Sequence, residues 1–203
     1  MNKAIEYFRS EVPEGTAGPW VIEKVAISER EYDPDQDPRP HCFKFRPGVY
    51  TSLRRNGTVF MTDLYDEWWT QCSAIAQALT RGGEVLITGL GLGLVAEAIL
   101  RPADSPVEHV TILEVAPEVI KLVGPYLERR YPGKITIVET SAFAWTPPAG
   151  RRFSVGWHDI WPDPYTEQNR QDIEQLENRY RQCCDWQGNW PAAYQQAATE
   201  TSL

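Results

Sequence analysis

Two clusters in this chain of 203 residues carry side chains and backbone able to do chemistry. The first is EVLITGLGLGLVAEAIL, where Gly89, Leu90, Gly91, Leu92 and Gly93 separate an apolar run from a helical one. Glycines there allow a tight turn and let a ligand approach the backbone, so Gly89, Leu90, Gly91 and Gly93 are candidate ligand contacts. Glu114 ends the next apolar run, 25 positions after Gly89, with Val115 beside it. A carboxylate there can accept hydrogen bonds from both hydroxyls of an adenosine ribose. The plainer interpretation is a tight turn and a solvated Glu. The second cluster runs from Trp157 to Tyr165, WHDIWPDPY. Asp159 can act as a base or orient a nucleophile, and Asp163 can do likewise or cap the next helix. His158 is a candidate proton acceptor near neutral pH, although strand alternation points it away from the Asp159 side. Trp157 and Trp161 can stack a flat substrate or fill core and rim.

The elements that position these residues follow from periodicity. Val85–Thr88, Val110–Glu114, Ile135–Val138 and Phe153–Asp159 are apolar runs, with helical stretches Leu92–Leu100 and Pro117–Arg130 between the first three. Strands apolar on both faces that alternate with helices predict a parallel, doubly wound sheet whose post-strand loops share one edge. Upstream, Lys3 to Ser10 reads as a short helix and Val21 to Ile27 as a half-buried strand. EYDPDQDPRP is a solvated loop. Val49–Arg55 and Thr58–Thr62 form a hairpin about Asn56-Gly57, and Asp63 is placed to cap a helix running to about Thr80. Downstream, Glu167 to Cys183 reads as a helix, and the tail DWQGNWPAAYQQAATETSL contains no convincing strand.

The pattern hhhhGxGxG followed by LEVAPEVIKL resembles class I S-adenosylmethionine-dependent methyltransferases, within them the spermidine synthase-like group. VLITGLGLG is similar to their first motif and VTILEVAPEVIKLVGPYL to their strand-two segment. The hairpin and TDLYDE extend the likeness over about residues 49 to 165. The resemblance implies an α/β protein with a Rossmann-like methyltransferase fold, C-terminally shortened, and a small N-terminal β region. Its parts are 1–62, an N-terminal hairpin region; 63–165, a cofactor-binding core; and 166–203, a C-terminal helix and tail. It implies S-adenosylmethionine as cofactor, held over the ends of strands one, two and four, with Ser141 and Ala142 meeting the adenine and Asp159 facing the transferring group. The implied activity is methyl transfer to a small molecule or protein side chain. Four departures stand out. Ile87 replaces the acidic residue that often holds the methionine amine, and Leu92 replaces the Asp of spermidine synthases. Ser141 stands where the family usually has the Asp that meets the adenine amine and can still accept a hydrogen bond, and their Tyr-His-Glu stretch falls at Trp69-Thr70-Gln71. Aminopropyl transfer is thereby disfavoured, while a non-catalytic adenosyl-binding module of the same fold remains the rival. Trp161 to Tyr165 is similar to the FPDPW signature of tRNA guanine-N7 methyltransferases.

Composition bounds these alternatives. With 20 Lys+Arg against 28 Asp+Glu the net charge is −8, and TEQNRQDIEQLENRY after Tyr165 lacks phosphate-binding charge, so nucleic acid is a disfavoured partner. GxGxxA at residues 91–96 admits NAD, but no separate substrate domain follows the glycine loop. Cys42, Cys72, Cys183 and Cys184 form no CxxC pair, and the only histidines are His41, His109 and His158, so no metal is expected. No apolar run reaches the ~18 residues of a membrane span, and MNKAIEYFRSEVPEG has no secretory apolar core, which predicts a cytoplasmic protein with no membrane association. About three strands of a full methyltransferase sheet are missing after Tyr165. Either the N-terminal strands cover the sheet edge or a second copy does, forming a homodimer.

Overall fold

Asn56 and Gly57 both adopt positive φ, 50° and 82°, and turn β3 (Gly48–Arg55) back onto β4 (Thr58–Thr62) as the dipeptide predicts. The computed structural model describes residues 6–28, 47–163 and 166–200. The loop EYDPDQDPRP, His41, Cys42, Pro164 and Tyr165 lie outside the described residues. β1 (Gly15–Ala17) and β2 (Trp20–Ile27) extend the hairpin into a four-stranded antiparallel sheet of order β1-β2-β3-β4. A register shift between Leu53 and Arg54 bends β3, and beyond it Leu53 pairs with Met61.

The segment read as a helix over Lys3 to Ser10 carries none over residues 6–10. Phe8 instead packs edge-on against Trp68 at 5.1 Å, and the Ser10 amide donates to Asp63 at 2.8 Å. Asp63 does not cap α1 (Tyr65–Arg81); its buried carboxylate takes the amides of Ser10 and Thr51, and Leu64 sits at the cap without a side-chain bond. A buried carboxylate needs such donors, and two distant amides outcompete the local helix end.

The second sheet has five strands, all parallel, in the order β7-β6-β5-β8-β9. β5 (Gly83–Thr88) is central, with Val85 to Thr88 buried on both faces, and β6 (Val107–Glu114), β7 (Ile135–Glu139) and β8 (Val155–His158) flank it. α2 (Leu94–Leu100) and α3 (Pro117–Arg130) are the crossovers on the β6 side. The order runs outward from β5 through β6 to β7, then resumes beyond β5 at β8. That reversal opens a crevice at the carboxyl ends of β5 and β8. Each fully buried aliphatic side chain in this layer contributes about 1.5–3 kcal/mol.

The tail corrects one expectation. After α4 (Glu167–Tyr180), Gln187–Asn189 form β9 beside β8, and α5 (Trp190–Glu200) follows. The strand next to β8 therefore comes from the tail rather than from the N-terminal strands. Among the described residues no helix is long and apolar enough to cross a membrane.

Candidate functional site

A cavity of about 530 Å³ lies over the carboxyl ends of the central strands. Gly89 and Gly91 after β5, Glu114 and Val115 at the end of β6, Ser141 and Ala142 after β7, and Asp159 after β8 all border it. The antiparallel hairpin roofs it with Arg55, Phe60 and Met61, while Glu67 of α1 and Trp190 of α5 close the inner end. Leu90 and Gly93 lie beneath rather than in its wall: Leu90 is buried in the core and Gly93 caps α2.

Glu114 is more constrained than its spacing suggests. Its Oε2 accepts from the Leu90 amide at 2.8 Å, and its Oε1 accepts from the Val115 and Ala116 amides at 2.9 and 2.8 Å. A carboxylate has about four acceptor sites, so among the described residues roughly one remains for a ribose, not the two expected. The carboxylate thereby ties the glycine loop to the turn entering α3. The Ser141 hydroxyl accepts from the Phe143 amide at 3.3 Å and starts a turn whose Ala144 and Trp145 amides return to the Ser141 carbonyl.

His158 is turned away from the cavity, as alternation requires. Its Nε2 lies 3.0 Å from Gln187 Oε1, and the Gln187 amide nitrogen donates to the Glu177 carbonyl. That places the proton on Nε2 and makes Nδ1, 3.1 Å from Thr88 Oγ1, the acceptor. Burial lowers its pKa to about 4, so it is neutral near pH 7 and serves packing between β5, β8 and β9 rather than proton transfer. Asp163 is exposed and outside the cavity wall; Thr166, not Asp163, caps α4 by accepting from the Asn169 amide. Trp157 is core, and Trp161 forms cavity wall while its indole donates to Asp172 at 3.1 Å.

Three site residues escape the sequence reading. The Met61 thioether accepts the Leu92 amide at 3.1 Å and lies directly over Gly91. Glu67 and Gln71, one helical turn apart on α1, meet Asp159: Gln71 Nε2 donates to Asp159 Oδ2 at 2.9 Å and approaches Glu67 Oε1 at 3.4 Å. The available signal was polar Gln71 within the buried stripe that continues through Ala74, Ile75 and Ala78.

Burial pushes Asp159 up to about 7. Glu67 is raised well above the ordinary carboxyl range, by burial first and then by the Asp159 and Asp66 charges. A carboxyl raised on folding favours the folded state fully below its unfolded value of about 4. That contribution is lost as pH climbs through about 7. Asp159→Asn removes this dependence. Its melting temperature relative to the parent chain is expected to rise between pH 5 and 8, by about 2–4 °C for each kcal/mol recovered. A flat difference over that range contradicts an enclosed, proton-retaining Asp159.

Comparison with solved structures bears on the fold. A spermidine synthase in complex with the transition state analogue AdoDATO superposes with a TM-score of 0.53 at 17% identity, over 94% of this chain and 64% of that one. The fold is Rossmann-like, of the methyltransferase type. The 23S rRNA methyltransferase ErmE gives 0.45 at 17% identity over 59% of this chain and 43% of that one. The N-methyltransferase NodS from Bradyrhizobium japonicum WM9 gives 0.42 at 16% identity over 56% and 62%. The chain spans less than two thirds of the length of each of these proteins. The sequence matches no protein-family model and no curated protein. Within the methyltransferase-type fold, the cavity occupies the crevice where the strand order reverses, the place open α/β sheets bind ligands.

Proposed function

We propose that the chain transfers a methyl group from S-adenosylmethionine to a small molecule or protein side chain. The observation that carries this reading is the cavity's polarity: the Gly89–Gly91 backbone and Glu114 border one stretch, Asp159 and Glu67 another. The residues present fit an adenosyl group. The volume lies within the ~300–1,000 Å³ of small-molecule pockets, Gly89 and Gly91 put backbone into its wall, and Glu114 keeps an acceptor site for a ribose hydroxyl.

Bound there, S-adenosylmethionine supplies an electrophilic methyl on a sulfonium. The protein's part is alignment, which in well-oriented systems is worth about 7–11 kcal/mol of barrier. Glu114 and the glycine loop hold the nucleoside, Trp161 and Trp190 wall off water, and Asp159 takes the acceptor's proton. A carboxyl whose pKa lies near the working pH suits that last task.

One observation favours a second reading, aminopropyl transfer from the decarboxylated donor. Among the described residues Arg55 is the one Lys or Arg in the cavity wall, and it stacks over Trp20 at 5.6 Å, on the hairpin. The Asp159–Glu67 end offers no cation to a donor α-carboxylate. Incubation with S-adenosylmethionine labelled in the methyl group, against amine, hydroxyl, thiol and peptide acceptors, separates the two readings. Label in product supports methyl transfer; product only from the decarboxylated donor supports the second reading. Tight binding with no transfer from either donor overturns both and leaves a binding module.

A further inference from the structure

The buried amide of Gln71 has a fixed orientation, and that orientation has a chemical consequence. The Trp157 indole Nε1–H can only donate, and it meets Gln71 Oε1 at 2.8 Å. The opposite end of the same amide, two N–H donors on Nε2, therefore faces Asp159 and Glu67. Reversing the amide would set its NH2 against the indole N–H, donor against donor, and lose the Trp157 bond. Gln71 is 0% exposed and Trp157 1%, so water cannot stand in for either.

We infer that Gln71, oriented by Trp157, is a positioning residue that holds Asp159 and Glu67 as one proton-sharing pair. Two carboxyls meeting one nitrogen in an enclosed place cannot both ionise without strong repulsion, and such a pair loses its protons in two separate steps. The surrounding charges reinforce this. Asp66 on α1 adds repulsion, and His158 faces the other way and is neutral. Trp190 from α5 brings no charge, and Glu114 and Arg55 line the same cavity from the β6 end and the hairpin. The inference deepens the proposed methyl transfer and rests on it only for its role. As the new bond to the acceptor forms and the carbon–sulfur bond breaks, its electron pair leaves with sulfur. The acceptor's proton passes to the Asp159 carboxylate, which Gln71 holds beside Glu67.

Carbon-13 NMR titration of side-chain carboxyls in the ligand-free chain tests the pairing without any substrate. The Asp159 and Glu67 signals are identified by their loss in Asp159→Asn and Glu67→Gln. The parent chain is expected to lose the two protons in separate steps, with the Asp159 midpoint near 7 and the Glu67 midpoint well above the ordinary carboxyl range. Gln71→Met removes the donated hydrogen bond and should raise the Asp159 midpoint by about one pH unit. Asp159→Asn removes the neighbouring charge and should lower the Glu67 midpoint by about as much or more. Trp157→Phe keeps the core filled but frees the amide, so it should shift Asp159 upward by less than Gln71→Met. It serves if Gln71→Met does not fold. Opposite shifts, of Asp159 upward in Gln71→Met and of Glu67 downward in Asp159→Asn, support the pair. Unmoved midpoints, or shifts in the same direction, overturn it, whether or not transfer is observed. Opposite shifts in a chain that transfers nothing keep the pair and overturn only the catalytic reading.

Discussion

Glu114→Ala is expected to weaken binding of S-adenosylhomocysteine at least tenfold and to cost about 2–4 kcal/mol of folding stability, because one carboxylate performs both tasks. Three backbone amides, of Leu90, Val115 and Ala116, converge on it at 2.8 to 2.9 Å. Removing it leaves three donors to find water in a partly buried turn and unties the glycine loop from the entry to α3. Glu114→Gln separates the tasks. Its oxygen can still accept from Val115 and Ala116, but its NH2 then faces the Leu90 amide, donor against donor. An intermediate loss of stability follows, measurable by chemical denaturation. Alanine stability within ~0.5 kcal/mol of the parent, the range of an ordinary surface substitution, would show that the loop does not depend on this carboxylate.

Gly89→Ala is expected to be more damaging still, and in a way that distinguishes it from Gly91→Ala. Gly89 has φ +93°, and a Cβ there would stand 1.9 Å from the Asp159 carbonyl oxygen. That oxygen is backbone, so β8 must move away from β5 and carry Asp159 off its contact with Gln71. A cost of about 3–4 kcal/mol is expected, with loss of the cavity's inner end. At Gly91, with φ +50°, the Cβ would meet only Met61 Sδ, at 2.3 Å. A thioether can swing aside, so Gly91→Ala should cost about 1–2 kcal/mol. Met61→Ala introduced with it should recover the part due to the clash. Equal destabilisation by the two single alanines would contradict this division between a rigid and a yielding neighbour.

These two positions also show what the sequence reveals and what it hides. The glycine loop and Glu114 were legible because their geometry is local: an apolar strand, a turn that needs bare backbone, and a carboxylate ending the next strand. α3 was read with its observed bounds because Pro117 marks a first turn and the apolar spacing persists to Arg130. β9 was not legible, since Gln, Gly and Asn have little strand propensity. It is imposed by pairing of Gln187 with Gly156 and Asn189 with His158. Asp63 was misread as a cap because its partners, Ser10 and Thr51, lie 53 and 12 residues away. Glu67, Gln71 and Met61 were hidden for the same reason: Gln71 meets Asp159 across 88 positions, and Met61 meets Leu92 across 31. Local pattern places the strands and turns, while long-range pairing decides which polar groups meet at their ends.

The most direct test of an adenosyl site at this edge of the sheet is isothermal titration of the purified chain with S-adenosylhomocysteine. The account predicts one site of micromolar affinity, weakened at least tenfold in Glu114→Ala. No binding by a folded parent chain, or equal binding by the two proteins, would contradict it.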